Sequence, residues 1–350
     1  MSDALQAIIA RAAATQPLTI AQYMELALQH PEYGYYRRHD PLGARGDFIT
    51  APEISQTFGE LIGLWCVDMW DKLGRPDPFT LCELGPGRGT LMRDALRAAG
   101  TMPAFTTACR VVLVESNVDL RTAQGAALAD YQPQWLEEPD ALPMRPALVI
   151  ANEFFDALPI RQYIRREDDW YENCISCVAG KLQWAAVPVA AGMPAAAPGA
   201  IIEVSVAATN IMRDLSRHLA AHGGAMLAID YGYDAAPGSP TFQALARHNY
   251  ADPLRDPGQA DLTAHVDFGA LAATAREQGM QVWPLVTQGD FLRALGIDAR
   301  CAQLVARATP AQRDALLAAH RRLTDSVQMG TLFKVFCVTP SDNPVPAGWE

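Results

Sequence analysis

Leu81-Cys82-Glu83-Leu84-Gly85-Pro86-Gly87-Arg88-Gly89-Thr90-Leu91 is the stretch on which the fold of this 350-residue chain turns. An apolar run from Phe79 to Leu84 stops at three glycines on alternate positions, and a helical pattern carried by Leu91, Met92 and Leu96 follows at once. The order is strand, tight turn, helix. Glycines suit such a turn because the chain reverses sharply and a ligand lies against bare backbone, with the unpaired amides of the helix N-terminus aimed at it. A dinucleotide fingerprint needs a glycine at its sixth position, where this loop has Thr90, so a nicotinamide dehydrogenase is disfavoured. Instead the third glycine comes two residues after the second, and an acid, Glu83, stands two residues before the first.

Further strands flank this one. Val111 to Val114 ends in Glu115, thirty residues beyond Gly85, and Ser116 or Asn117 caps the helix that follows. A carboxylate at that strand tip is placed to grip a ribose diol; a solvated strand-end glutamate is the alternative. A third run, Ala147 to Ala151, leads into Asn152-Glu153-Phe154-Phe155-Asp156-Ala157-Leu158-Pro159. Ligands of open α/β sheets sit at the carboxyl ends of strands, so this segment is expected to face the same crevice as Gly85 and Glu115. The plainer possibility is that Asn152 or Asp156 caps a short helix and both phenylalanines are core. Ala225 to Asp230 makes another core strand, tipped by Asp230-Tyr231-Gly232-Tyr233, and Leu332 to Val338 reads as a final edge strand.

The flanks read differently. Residues 2 to 15 are helical, and Thr19 with Gln22 opens a second helix that closes before Pro31. A Gly-, Tyr- and Arg-rich segment follows, over residues 33 to 47, either a surface loop or a lid. Thr50 and Glu53 form a capping box with Pro52 in the first turn, starting one long helix that Gly74 ends. Short alternating strands between Arg161 and Val204 suggest an antiparallel insertion, and 235 to 262 is rich in loops. Beyond it, His265 either contacts substrate or is simply packed, with Asp267 capping the next helix. The expected organisation is α/β: an N-terminal helical region and lid segment over 1–75, a Rossmann-like domain over 76–340 carrying insertions at 161–204 and 235–262, and a tail over 341–350.

Composition sets the outer limits. A net charge of −11 argues against a nucleic-acid or anionic-membrane surface. No apolar run reaches the ~18 residues of a membrane span, and the N-terminus lacks a signal-peptide layout. Lysine occurs only at 72, 181 and 334, the arginine bias of a high-GC bacterial gene, so a cytoplasmic bacterial protein is expected. The seven scattered cysteines read as reduced thiols. Cys174 and Cys177 sit on a strand pattern where positions three apart face opposite ways, so no metal site is expected.

Several of these segments together resemble the MidA family. They are Gly46 to Ser55, the glycine loop, Asn152 to Pro159, Ile229-Asp230-Tyr231-Gly232, and Asp261 to Phe268. The family includes the mitochondrial complex I assembly factor, an S-adenosylmethionine-dependent protein-arginine methyltransferase. The glycine loop by itself is similar to the cofactor loop of class I methyltransferases, in which the acid lies near the methionyl ammonium and the glycines make room for the ribose and methionine. The resemblance, running from about Leu18 to Val338, implies a class I methyltransferase fold with S-adenosyl-L-methionine as cofactor. The residues placed at it are Glu83, Gly85, Pro86, Gly87, Gly89, Thr90, Glu115, Ser116 and Asn152. It also implies a protein substrate presenting an arginine, for the mitochondrial member a complex I subunit, and leaves a homodimer open.

Arginine methylation imposes its own demands. The guanidinium stays protonated, with a pKa near ~13.8, until charge is localised on one nitrogen. Planar contacts from carboxylates do this. Glu153 and Asp156 are the first candidates, with Asp230, Asp47 and His265 behind them, and Phe154, Phe155 and Tyr231 could stack on a cation. Against this enzyme stand a methyltransferase of another substrate and an assembly chaperone that uses the same fold to bind a partner.

Overall fold

The computed structural model describes residues 2–38, 50–190, 192–235, 237–246 and 249–350. Its contacts divide the chain into two compact units, Met1–Phe48 with Phe155–Asn210 and Tyr233–Gly269, and Ile49–Phe154 with Ile211–Gly232 and Ala270–Glu350.

The second unit is built on one mixed sheet. Its strands run in the order Met280–Val282, Phe333–Pro340, Gly224–Tyr233, Ala147–Asn152, Phe79–Leu84, Cys109–Val114 and Gln134–Leu136. The five from Gly224–Tyr233 to Gln134–Leu136 are mutually parallel, while Phe333–Pro340 runs antiparallel to Gly224–Tyr233. Every residue of Phe79–Leu84 and Ala147–Asn152 is buried, as expected of strands covered on both faces. The chain passes from Phe79–Leu84 to its neighbour Cys109–Val114, then returns to the opposite side at Ala147–Asn152. That reversal puts the topological switch point at the carboxyl ends of Phe79–Leu84 and Ala147–Asn152, where such sheets bind ligands.

Two expectations need correction. Phe333–Pro340 is not an edge strand, because Met280–Val282 and Val286–Thr287 pair along its outer side; at three and two residues they are too short to show a period. The long helix expected from Thr50 is also broken. A single turn, Ala51–Ile54, ends at Ser55, whose hydroxyl accepts from the Thr57 N–H and starts the helix Gln56–Lys72. Thr50 makes no side-chain cap: the Glu53 N–H donates to the Thr50 carbonyl at 3.0 Å, and the Glu53 carboxylate is engaged elsewhere.

The helix Gln56–Lys72 lies against the helix Thr90–Ala99 at backbone distance. A Cβ on Gly63 would stand 2.3 Å from the Ala95 carbonyl oxygen, so any larger residue forces the two helices apart. Trp65, Trp70, Phe79 and Phe105 fill the core beside them, with the Phe79 and Phe105 ring centroids 4.9 Å apart. The C-terminal residues dock onto this core. Trp65 Nε1 donates to the Ala347 carbonyl, and Trp349 packs on Phe291 and donates to the Pro284 carbonyl at 2.7 Å. Trp349→Ala is therefore expected to lower stability by about 2 kcal/mol in urea unfolding. An unchanged midpoint and m-value would show that the tail is merely laid on the surface.

The other unit joins the N-terminal helices Ser2–Thr15 and Ile20–Gln29 to two antiparallel sheets. In one, Leu18–Thr19, Asp169–Val178, Arg161–Arg166 and Ile201–Val204 follow in order and Lys181–Pro188 pairs with Asp169–Val178; in the other, Asn249–Ala251, Gln243–Ala246 and Asp261–Thr263 pair. The Thr19 and Gln22 capping box is present. Leu5, Ile9, Tyr23, Met24, Ile175 and Leu262 form its core. Among the described residues no helix is long and apolar enough to cross a membrane, and no three His, Cys, Asp or Glu side chains are grouped to hold a metal.

Candidate active site

The glycine loop has the conformation its sequence demands. Gly85, Gly87 and Gly89 take φ values of 60°, 53° and 80°, and the Gly89 N–H donates to the Pro86 carbonyl at 2.8 Å. Gly89 then caps the helix that Thr90 opens. A Cβ on Gly85 would meet the Phe154 ring at 2.9 Å, so the loop and the segment after Ala147–Asn152 close on each other here.

Two acceptors at the switch point lack donors among the described residues. Glu83 is buried, and its Oε2 has no hydrogen-bond partner among the described residues. Burial pushes its carboxyl up to about 8, against the pull of the Met92 N–H. Asn152, at the end of the neighbouring strand, is buried as well, and its Oδ1 is equally unpartnered while its Nδ2 donates to Glu153 Oε1 at 3.2 Å. An unmet buried acceptor is costly, so two on adjacent strand ends mark a place for a donor such as an ammonium group.

Glu115 sits at the next strand end in a prepared setting. Its Oε1 accepts from the Asn117 N–H at 2.7 Å and its Oε2 from Gln124 Nε2 at 3.3 Å. Burial holds its carboxyl above the ordinary value, against the hydrogen bonds from Asn117, Gln124 and Ser116. Asn117 also caps the helix Val118–Ala127 through the Asp119 and Leu120 amides. Ser116 stands exposed beside it.

Glu153 takes φ of 50°, unusual for a side chain other than glycine and a mark of a backbone held by its surroundings. Its Oε1 accepts from the Ala51 N–H at 3.0 Å. Asp230 is fully buried and accepts from the Phe154 and Tyr231 amides at 3.2 and 2.9 Å, stapling two strand ends together. Tyr231 packs edge-on against Phe333.

The remaining candidates belong to the other unit or fall outside. Asp156 and Phe155 are buried there, and the Asp156 carbonyl accepts from the Ala264 N–H next to His265, whose own N–H donates to Thr241 Oγ1. Tyr36 donates to Asp261 at 2.7 Å, and burial, then Asp261 and Asp156, raise its phenol well above the ordinary value. Asp47 and the rest of 39–49, most of the expected lid, lie outside the described residues.

Two contributors escaped the sequence reading. Glu53, expected only as a capping partner, accepts instead from Thr90 Oγ1 at 2.6 Å, 37 residues away. Gln124 has no sequence signal beyond being an amide on the helix after Glu115, yet it is the one buried residue of that helix and touches both the glycine loop and Glu115.

Known proteins resemble this chain over most of its length. A family model described as S-adenosyl-L-methionine-dependent methyltransferase matches residues 61–285. The protein arginine methyltransferase NDUFAF7, mitochondrial, of Danio rerio is 35% identical over 95% of this chain and 86% of its own length. Its Homo sapiens counterpart is 34% identical over 93% of this chain and 81% of its own. Among solved structures, a COG1565 superfamily member from Burkholderia thailandensis bound to S-adenosyl-homocysteine superposes with a TM-score of 0.85 at 27% identity, covering 99% of this chain and 94% of that one.

Proposed function

From the premise that the chain belongs to the S-adenosyl-L-methionine-dependent methyltransferase family, we propose that it methylates an arginine guanidinium on a protein substrate. The cofactor half is carried by one observation, the unpartnered acceptors of Glu83 and Asn152 at the switch point. The arginine half is supported by the relatives named protein arginine methyltransferase.

The residues present fit the cofactor. Glu83 Oε2 and Asn152 Oδ1 would receive a methionyl ammonium, Glu115 a ribose diol, and Gly85, Pro86, Gly87 and Gly89 would leave its path free of side chains, with Thr90 and Ser116 at the rim. When bound, S-adenosyl-L-methionine supplies a methyl group on a sulfonium, ready for in-line displacement. The chain's own task is then to hold the attacking nitrogen ~3–3.5 Å from that methyl and to keep water out.

Glu153 is our first choice for the guanidinium. Its donors from Ala51 and Asn152 fix the carboxylate plane, and a fixed plane is what a guanidinium fork requires. Asp230 supports it by fixing the backbone on which Glu153 and Phe154 stand. Asp156, His265 and Asp47 are proposed for the substrate side.

Labelled S-adenosyl-L-methionine, added with the purified protein to a host lysate, is expected to mark few proteins, and acid hydrolysis to release methylarginine. Label confined to metabolites, or to another residue type, would overturn the arginine reading. Glu153→Gln is expected to cut kcat by about 100-fold while the affinity for S-adenosyl-homocysteine stays within a factor of about two. Full activity in that variant would remove Glu153 from the reaction and favour a role in partner binding.

A further inference from the structure

We infer that Gln124, on the helix behind the ribose-side carboxylate, is a positioning residue that sets Glu115 and the glycine loop in register for the adenosine end of the cofactor. The inference rests on the cofactor reading above and adds a residue outside the expected contact set.

Gln124 is completely buried, and its side chain joins three separate elements. Its Nε2 donates to the Gly87 carbonyl at 2.7 Å and to Glu115 Oε2 at 3.3 Å. Its Oε1 accepts from the indole Nε1 of Trp135 at 2.8 Å. The amide orientation is not arbitrary. An indole N–H can only donate and a backbone carbonyl can only accept, so the oxygen must face Trp135 and the nitrogen must face Gly87.

Both amide hydrogens are thereby spent on groups that line the site. One holds the middle glycine of the loop, the other the outer oxygen of the carboxylate. The Asn117 amide holds Glu115 Oε1 from the other side, so the carboxylate cannot rotate without breaking a bond at one end or the other. The helix Val118–Ala127 packs beside the loop at Gly89, where a Cβ would stand in ordinary contact, 3.6 Å from the Gln124 Cα and Cγ.

A purely structural amide would also be satisfied, so the test must separate the two. S-adenosyl-homocysteine is titrated into wild type, Gln124→Met, Glu115→Gln and the double variant, and kcat and KM for S-adenosyl-L-methionine are measured alongside. Gln124→Met, which keeps length and volume without a donor, is expected to raise both Kd and KM about 10- to 100-fold and to leave kcat within about twofold. In the Glu115→Gln background the same substitution is expected to cost several-fold less than in wild type, because of its contacts to the site only the one with Gly87 is then left to lose. Multiplying losses, or an unchanged Kd in Gln124→Met, would overturn the inference. Should Gln124→Met not fold, Gln124→Glu keeps the acceptor for Trp135 but places a second carboxylate against Glu115, and the same weakening is expected. Wild type that fails to bind S-adenosyl-homocysteine would instead overturn the cofactor reading itself.

Discussion

Gly85→Ala is expected to abolish measurable binding of S-adenosyl-homocysteine, weakening it at least about 100-fold, and to stop methyl transfer, while the protein still folds. Two effects combine at this position. The backbone stands at φ of 60°, where any Cβ costs roughly 1–2 kcal/mol. The new Cβ would also fall 2.9 Å from the Phe154 ring, which must then move into the space where bare backbone faces a ligand. Gly180→Ala separates these effects. Gly180 has a similar φ of 77° with nothing within 4 Å of its absent Cβ, so that variant should bear the backbone cost alone and lose no activity. Equal activity in the two variants would mean that the loop does not approach a ligand at Gly85.

How far the sequence leads can be seen from which residues obeyed it. Phe79–Leu84, Ala147–Asn152 and the first seven residues of Gly224–Tyr233 are buried throughout, so each is dominated by apolar residues, and Glu83, Asn152 and Asp230 stand near the carboxyl ends of those runs. The glycines were legible because their positive φ leaves little choice of residue. Met280–Val282 and Ile201–Val204 were not, being too short to establish a period, the latter directly after an Ala-, Pro- and Gly-rich stretch. Glu53 shows a different limit. A capping box is defined by spacing alone, and Thr50 and Glu53 have that spacing, but Thr90 offers the carboxylate a hydroxyl donor from a remote part of the chain. Local rules lose such contests without leaving a trace in the sequence. Gln124 is the extreme case, since an amide on a helix with no other buried residue looks like any other surface glutamine until Trp135, Gly87 and Glu115 are placed around it.

Glu83 is expected to tie stability to cofactor affinity with opposite signs. Its folded-state carboxyl is raised from 4.5 to about 8, so between those values the unfolded chain gives up its proton while the folded chain keeps it. The unfolded state therefore binds fewer protons, and stability must fall as pH rises from about 4.5 to about 8, by roughly 5 kcal/mol at most from this group. Glu83→Gln removes the charge and should make the ligand-free protein more stable at pH 8 to 9 by about 2 kcal/mol, part of the gain being lost to an amide that is itself unsatisfied. At pH 5, where the folded chain still carries the neutral carboxyl and little of the ionisation penalty has built up, the gain should largely disappear. Binding runs the other way. A cationic ammonium wants the ionised carboxylate, so the affinity of wild type for S-adenosyl-homocysteine should climb about tenfold per pH unit from 6 towards 8, with about one proton released per ligand at pH 7. Calorimetry in buffers of different ionisation enthalpy measures that proton directly. In Glu83→Gln the slope should flatten and the affinity at pH 8 should drop about 100-fold. A variant that binds as well as wild type, or that keeps the pH slope, would place the ammonium somewhere other than between Glu83 and Asn152, and with it the orientation of the whole cofactor across the switch point.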